Sequence, residues 1–373
     1  MTEITNLSTD LIELILSLLP ISTLIKVSTV CKQWHSIISS STFSNHKSHP
    51  WFFLHGIHNL SSKNNQTFAF DPSSNTWFLL PTPPTLQHHQ PNTSFTGTDS
   101  FFFITAPNFL FSPILHPSWH PTPPLHFPRI NPLLGVLNNN FIVVGGVKFI
   151  GNLVDIEDRL EVEIYDPLLN SWELAPPLPI DFRSGNSSSS LCSALFKGKF
   201  FVFGIYSCFV SSFDLNRRVW SEVKTLRPRG VVFSFLVACR NQLVLAGVCK
   251  LPNGSSSSPS FVLWKVDERN MGVSVMAVMP HELLCSLFDG DEDDKLATLK
   301  CVGLRNLVYV FNEDYHRMYP ACVCEIDAVS GNCEWRRVPQ LPSMMNRFHK
   351  VVSFCSTLSL HSILGQRPRR GLQ

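Results

Sequence analysis

The sequence predicts a small all-α N-terminal module followed by a larger all-β domain. Between residues 7 and 34, apolar side chains recur at three- and four-residue steps, the period of a helix with one apolar face. From Trp51 onward, short runs rich in Phe, Val, Leu and Ile alternate with Gly, Pro, Asn, Asp and Ser, which is typical of many short strands. The 373 residues are 44% hydrophobic and 16% charged, so they suffice for one small and one large folded unit.

The N-terminal module is predicted to contain three short helices. The first begins near Leu7, and Asp10 is its predicted cap because Glu13 follows three residues later. Pro20 is predicted to end this helix because proline cannot donate into it, and Ser22 or Thr23 is predicted to begin the second. The second helix and a short third one are indicated by Leu24, Val27 and Val30 and by Cys31, Trp34, Ile37 and Ile38.

The same stretch carries a recognisable set of residues: Leu7, Asp10-Leu11, Ile15-Leu16, Leu19-Pro20, Leu24, Val27 and Val30-Cys31-Lys32-Gln33-Trp34. This set resembles an F-box, the segment that docks a protein onto Skp1 in Skp1–cullin–F-box ubiquitin ligases. The family usually has proline directly after the leading leucine, where this chain has Ser8. The resemblance implies that the Skp1 contacts are Leu7, Leu11, Ile15, Leu18, Val27, Cys31 and Trp34.

The β-rich part repeats one pattern: an apolar strand, an aspartate, a polar turn, and a tryptophan six residues after the aspartate. It occurs at Phe70-Asp71 with Trp77, Tyr165-Asp166 with Trp172, and Phe213-Asp214 with Trp220. Ile326-Asp327 with Trp335 has a turn two residues longer. Val266-Asp267 keeps the strands but lacks the tryptophan in register, since Trp264 lies on the preceding strand.

The spacing of these marks indicates six repeats of about 50 residues. Asp166, Asp214, Asp267 and Asp327 follow one another at 48, 53 and 60 residues, and Asp71 precedes Asp166 by 95. A degenerate repeat is therefore predicted between Asp71 and Asp166, with strands at Phe101–Thr105 and Phe109–Phe111 and with Trp119. Proline follows the last strand of every repeat, at Pro81–Pro84, Pro121–Pro124, Pro176–Pro179, Pro228, Pro280 and Pro339–Pro342.

This unit resembles the kelch repeat of β-propellers, which implies a propeller of six four-stranded blades. Aspartate is predicted to cap the turn before the fourth strand, and tryptophan to fill the wedge between blades. Gly145-Gly146 matches the glycine pair of the family, whereas Gly204 and Gly247 are half matches. The predicted structural residues are Asp71, Trp77, Trp119, Gly145, Gly146, Asp166, Trp172, Asp214, Trp220, Asp267, Asp327 and Trp335.

The domain boundaries follow from these two resemblances. Residues 1–46 form the predicted helical module, residues 47–360 the propeller, and residues 361–373 a tail predicted to be disordered. Val351–Cys355 is predicted to pair with Trp51–Leu54, because joining the last strand to the first blade removes an exposed sheet edge.

Composition argues against several classes of function. A formal net charge of +2 is too close to neutral for a nucleic-acid or membrane-surface binder. An odd count of eleven cysteines, with no secretory signal, predicts reduced thiols in a cytoplasmic or nuclear protein. The uncharged apolar runs are shorter than a membrane span requires.

Three clusters of residues could form other sites, but their patterns favour structural or surface roles. Cys322 and Cys324, with Cys333 and His316, could suggest zinc, but their strand spacing favours core packing. His88, His89, His116, His120 and His126 are predicted to be loop residues. The acidic run 289–294 lacks the spacing of a calcium loop and is predicted to be a solvated loop.

The two resemblances together imply a substrate-recognition subunit of a Skp1–cullin–F-box ubiquitin ligase. Skp1, and through it a cullin, would bind the helices, and an unknown protein substrate would bind the propeller. Neither a catalytic residue nor a cofactor or metal is predicted. The alternatives are a non-ligase scaffold with an F-box-like segment, which Ser8 favours, and a propeller oxidoreductase of the galactose-oxidase kind, for which no copper constellation is found.

Overall fold

A computed structural model describes most of the chain: residues 7–40, 42–43, 49–84, 94–106, 108–115, 117–150, 153–155, 160–182, 189–239, 242–250, 259–288, 296–313, 320–327, 329–343, 345 and 348–358. The predictions for His88, His89, His116, His316, the acidic run 289–294 and the tail 361–373 lie outside these residues.

Three helices form the N-terminal module: α1 (Thr9–Ser17), α2 (Ile21–Val27) and α3 (Lys32–Ser39). The number of helices was predicted correctly, but two caps were wrong. Ser8, not Asp10, is the N-cap of α1, because its side-chain oxygen accepts the Leu11 amide at 3.4 Å. Helix α2 begins at Ile21 after Pro20, one position before the predicted start, and Ser22 lies inside it.

Six sheets follow, each built on four antiparallel strands. Blade 1 holds β1 (Trp51–His58), β2 (Gln66–Asp71) and β3 (Thr76–Leu80), and blade 2 holds β4 (Phe95–Thr98), β5 (Phe101–Ile104), β6 (Leu110–Pro113) and β7 (His120–Pro121). Blade 3 holds β8 (Leu133–Leu137), β9 (Asn140–Val144), β12 (Val162–Asp166) and β13 (Ser171–Ala175), with a side hairpin of β10 (Lys148–Ile150) and β11 (Leu153–Asp155).

The second half of the ring repeats this order. Blade 4 holds β14 (Leu191–Phe196), β15 (Lys199–Gly204), β16 (Phe209–Asp214), β17 (Val219–Trp220) and β18 (Lys224–Thr225). Blade 5 holds β19 (Val231–Cys239), β20 (Gln242–Cys249), β21 (Ser260–Val266) and β22 (Val273–Val278). Blade 6 holds β23 (Leu299–Leu304), β24 (Leu307–Asn312), β25 (Cys322–Ile326) and β26 (Cys333–Arg337). The prediction of six four-stranded blades is confirmed.

The last strand closes the ring, as predicted. Strand β27 (His349–Ser356) pairs antiparallel with β1 along its whole length, from Trp51↔Ser356 to His58↔His349. It is the innermost strand of blade 1, so the N-terminal and C-terminal parts of the chain share one sheet. The pairing leaves neither strand with an open edge on that side.

The repeated aspartates shape the turns between the third and fourth strands. Oδ1 of Asp71 accepts the Ser73 amide at 3.0 Å, and the other four aspartates accept amides two or three residues ahead in the same way. Each turn therefore contains a local side-chain-to-backbone hydrogen bond that fixes its direction. These equivalent turns mark one face of the propeller, which we call the turn face.

Four tryptophans join neighbouring blades through one recurring hydrogen bond. Each indole Nε1 donates to a proline carbonyl at the end of the preceding blade: Trp77 to Pro339 (2.8 Å), Trp119 to Pro84 (2.8 Å), Trp172 to Pro123 (2.8 Å) and Trp220 to Pro176 (3.0 Å). We call this contact the Trp–Pro clasp. It spans the interfaces 6/1, 1/2, 2/3 and 3/4, and so ties blades 6, 1, 2, 3 and 4 into a continuous arc.

A helix that the sequence patterns did not predict lies at interface 5/6. Helix α4 (His281–Cys285) follows blade 5, with Pro280 as its N-cap. The Pro280 carbonyl accepts the amides of Leu283 and Leu284 at 3.0 and 3.2 Å. The blade 6 turn was predicted to be two residues longer, and this is wrong: Ile326 pairs with Cys333 at the same spacing as Phe70 with Trp77, so Trp335 lies two positions further along β26. Its indole Nε1 is buried and has no partner among the described residues. The carbonyl of Pro280 is occupied by the first turn of α4, and the tryptophan of blade 6 is displaced from the clasp position.

The cores of the two modules merge. Buried Ile12, Leu16, Ile21, Leu24 and Ile38 of the helices belong to one apolar cluster with Trp51, Phe53, Ala69, Phe102 and Phe354 of blades 1 and 2. Among the helices of the described residues, none combines the length and the apolar character that crossing a membrane requires.

Candidate protein-interaction surface

Helix α1 has two apolar faces with opposite environments. Ile12 and Leu16 point into the merged core, and Leu16 is only 1% exposed. On the other side Leu11, Leu14 and Ile15 are 48, 53 and 50% exposed, and Leu7 and Leu18 extend the same row. We call these five residues the α1 stripe: Leu7, Leu11, Leu14, Ile15 and Leu18. Their spacing of three and four residues places them side by side on the helix.

A further exposed aliphatic residue lies just before α3. Val30 is 66% exposed and directly precedes α3. Cys31 is also exposed and is the N-cap of α3, where its Sγ accepts the Trp34 amide at 3.4 Å. The cysteine thus has a local structural role in positioning the helix, besides being open to a partner.

The seven predicted contact residues fall into two groups. Leu7, Leu11, Ile15 and Leu18 lie in the α1 stripe, and Cys31 is exposed. Val27 and Trp34 are partly buried against the merged core, so they support the helices from inside. The predicted Skp1 contacts did not include Leu14 and Val30, although both side chains are exposed. The helical period could have found Leu14, because it lies three residues after Leu11 and four before Leu18.

A buried hydrogen bond joins the helices to the turn face. Ser22 of α2 donates its hydroxyl to Oδ2 of Asp71 at 3.1 Å, and both residues are buried. The same oxygen accepts the Ser74 hydroxyl at 2.8 Å. Of the five turn aspartates, Asp71 alone is buried, because α2 covers it. The α1 stripe is therefore held on a module that contacts blade 1 directly.

The clusters considered as alternative sites have structural surroundings. Cys322 and Cys324 are buried in the core of blades 5 and 6, and burial raises the pKa of the Cys322 thiol to about 11. Within the described residues there is no group of three His, Cys, Asp or Glu side chains arranged to hold a metal ion.

His126 is an exposed residue that contacts a buried ion pair. The Glu163 carboxylate accepts the His126 amide at 2.7 Å and pairs with the fully buried Arg129 guanidinium at 2.6 Å. Arg129 also donates to the Gly145 carbonyl at 3.1 Å, next to Gly146, whose φ of +87° favours glycine. This network fixes the loop that leads into blade 3. His120 lies on β7 and contacts Ser118 at 2.9 Å.

Comparison with known proteins is consistent with both modules. Residues 4–46 match the family model of the F-box domain. An F-box/kelch-repeat protein of Arabidopsis thaliana is 26% identical over an alignment 383 residues long, which covers 97% of this chain and 92% of that protein. F-box only protein 6 of the same plant is 24% identical, with 88% of this chain and 68% of that protein covered. A further Arabidopsis F-box/kelch-repeat protein is 21% identical over 92% of this chain and 88% of its own length.

Proposed function

We propose that this chain, which is an F-box protein with a kelch-type β-propeller, is the substrate-recognition subunit of a Skp1–cullin–F-box ubiquitin ligase. Its architecture of an F-box followed by a propeller fits that of F-box substrate receptors. In this role the α1 stripe docks on a Skp1-like adaptor, which links the chain to a cullin, and the propeller binds a target protein.

The observation that carries the proposal is the exposed α1 stripe. Five large aliphatic side chains in one row form a contiguous apolar patch of the kind that marks a protein interface. Burying a leucine completely is worth roughly 1.5–3 kcal/mol, so each half-exposed member contributes about 1 kcal/mol when a partner covers it. The row carries no charged side chain that a partner would have to desolvate.

Ser8 stands where the family usually has proline, and its hydroxyl caps the first turn of α1. The helix begins at Thr9, and Leu11 and Ile15 are exposed on its outer face. This geometry supports docking over the scaffold alternative.

The proposed mechanism is proximity rather than chemistry by this chain. Holding a target near a charged ubiquitin-conjugating enzyme raises the effective concentration of the target lysines. All eleven cysteines are free thiols, which fits the proposed location in the cytoplasm, the nucleus or both.

A pull-down with a purified Skp1-like adaptor tests the proposal. We expect the unmodified chain to retain the adaptor, and L11D and I15D each to weaken binding by at least about 100-fold, because a carboxylate would enter a dry apolar interface. L168D is the matched control, since Leu168 is 95% exposed on a blade 3 turn. An unmodified chain that fails to bind the adaptor would contradict the ligase role.

A further inference from the structure

Blade 5 departs from its neighbours at the position of the clasp tryptophan. In blades 1, 3 and 4 the tryptophan pairs with the residue just before the turn aspartate: Phe70↔Trp77, Tyr165↔Trp172 and Phe213↔Trp220. The same register in blade 5 is Val266↔Val273. Valine thus stands where blades 1, 3 and 4 place a large ring, and Cys333 has the same position in blade 6. Buried Trp264, on the neighbouring strand of blade 5, packs in the core of interface 4/5. Among the described residues, no Trp–Pro clasp spans this interface.

The outer strand of blade 4 is interrupted beside the same interface. It is divided into β17 and β18 at residues 221–223, and the exposed Ser221 bonds to the third strand. The Ser221 hydroxyl accepts the Ser212 amide at 2.9 Å, and the Ser221 carbonyl accepts the Ser211 hydroxyl at 2.8 Å. These bonds hold the break in place.

Together these two features open a groove between the blades. It consists of two adjoining depressions of about 650 and 430 Å³ that share Lys197 and Glu268. We call it the blade 4/5 cleft. Apolar side chains of both blades, Phe196, Phe201, Met271 and Val273, lie along it. Each depression has a volume within the usual range of ligand-binding clefts.

The lining of the cleft carries more cations than carboxylates: Lys197, Lys199, Lys224, Lys265 and Arg269 against Glu222, Asp267 and Glu268. Lys197 of blade 4 pairs with Glu268 of blade 5 at 2.8 Å, which spans the cleft. Lys224 lies at one depression and Lys265 and Arg269 at the other, all three exposed. Within the described part of the chain, none of these three cations has an ion-pair partner. The surplus of positive charge suits a ligand that carries carboxylates.

We propose that the blade 4/5 cleft binds an acidic peptide segment that carries an aromatic side chain. The aromatic ring would lie beside Val273, at the position where blades 1, 3 and 4 place their own tryptophan, and the carboxylates would face Lys224, Lys265 and Arg269. The cleft opens on the turn face at blades 4 and 5. The helical module contacts the same face, but at blades 1 and 2. The inference names the chemistry of the bound protein, and so it deepens the proposed function.

Fluorescence anisotropy with a labelled peptide of alternating glutamate and aspartate around one central tryptophan tests the assignment. We expect saturable binding that weakens as salt is raised. A peptide with glycine in place of tryptophan, and one with lysine in place of every acid, should each bind at least about tenfold more weakly. Equal binding of all three peptides, or stronger competition by a single-stranded oligonucleotide of equal charge, would overturn the proposal.

Two variants separate the two parts of the recognition. V273W should fill the wedge and lower the peptide affinity at least about tenfold while leaving the melting temperature unchanged or higher. The double variant K224E/K265E changes exposed residues only and should lower the affinity by a similar factor, so it decides the question if V273W melts early. K350E, at an exposed site on blade 1, is the control that should bind like the unmodified chain. Unchanged affinity in K224E/K265E would overturn the assignment.

The outcome for the cleft is distinguishable from that for the ligase role. V273W and K224E/K265E should still retain the Skp1-like adaptor, because the α1 stripe lies on the helical module. Conversely, I15D should still bind the peptide. Loss of peptide binding in I15D would mean that the probe binds at the α1 stripe and not at the cleft.

Discussion

The Trp–Pro clasp leads to a quantitative prediction, because the molecule contains a tryptophan with the bond and one without it. Trp77 is buried and donates to the Pro339 carbonyl at 2.8 Å across the interface that closes the ring. Trp335 packs at interface 5/6, but its buried Nε1 has no partner in the part of the chain that the structure describes. Phenylalanine in place of either residue removes the indole N–H and part of the apolar surface.

The expected loss of stability differs between the two sites. W77F loses a hydrogen bond worth about 1 kcal/mol and about 1–2 kcal/mol of ring burial, in total about 2–3 kcal/mol. W335F loses a similar ring area but no hydrogen bond, and it relieves an unpaired buried donor, so we expect a loss of about 1 kcal/mol or less. For a domain of this size, each kcal/mol shifts the melting temperature by roughly 2–4 °C.

Thermal unfolding followed by far-ultraviolet circular dichroism compares these variants without relying on tryptophan fluorescence. W77F should melt about 5–10 °C below the unmodified protein, and W335F within about 3 °C of it. W172F, at a second clasp, should behave like W77F, since Trp172 donates to Pro123 at 2.8 Å. An equal or larger loss in W335F than in W77F would refute the role assigned to the clasp.

Three further predictions concern the propeller and its junction with the helices. Burial lowers the pKa of His55 from 6.5 to about 4, so the unfolded chain takes up a proton at a higher pH than the folded one. The free energy of unfolding should therefore be greatest above pH 6.5 and fall by about 2 kcal/mol between pH 7 and pH 5. Denaturant titration at both pH values should show a smaller difference for H55F. Deletion of residues 347–373 removes β27 and should abolish cooperative melting, whereas a truncated chain that melts unchanged would contradict strand closure. S22A should cost about 1 kcal/mol and raise amide exchange in α2, because Asp71 loses its bond to the helices; T29A, at an exposed position, is the control, and equal losses in both would contradict that role.

The repeat pattern predicted the propeller well because its marks serve local structure. Each turn aspartate bonds amides two or three residues ahead, so sequence spacing alone reports the turn. The tryptophans were predicted to fill the wedges, but their proline acceptors lie in other blades, as far as 262 positions away for Trp77. Sequence spacing shows both residue types and not their pairing.

The helical caps show where local patterns compete. Asp10 and Ser8 are both good N-cap residues, and Glu13 made Asp10 the better match to a capping box. In the fold, Ser8 caps α1 while Asp10 lies in its first turn, where a negative charge also favours the helix dipole. Ser22 was predicted to start α2, and its actual bond to Asp71 depends on contact between modules that no local pattern encodes.

The interaction surfaces divide in the same way. The helical period predicted which face of the N-terminal module is apolar, but not that the propeller covers Ile12 and Leu16 while leaving Leu14 open. The missing tryptophan of blade 5 was visible in the sequence. The cleft beside Val273 is also lined by Ser221, whose bonds to the third strand of blade 4 only the three-dimensional arrangement shows.

Calorimetric titration of the full-length chain with a purified Skp1-like adaptor tests the central claim most directly. The account predicts binding of one adaptor per chain with a negative heat-capacity change, because the α1 stripe is apolar and would become buried. I15D should abolish the heat signal at concentrations that saturate the unmodified chain and L168D. Absence of binding by the unmodified chain, or unchanged binding by I15D, would contradict the assignment of this surface.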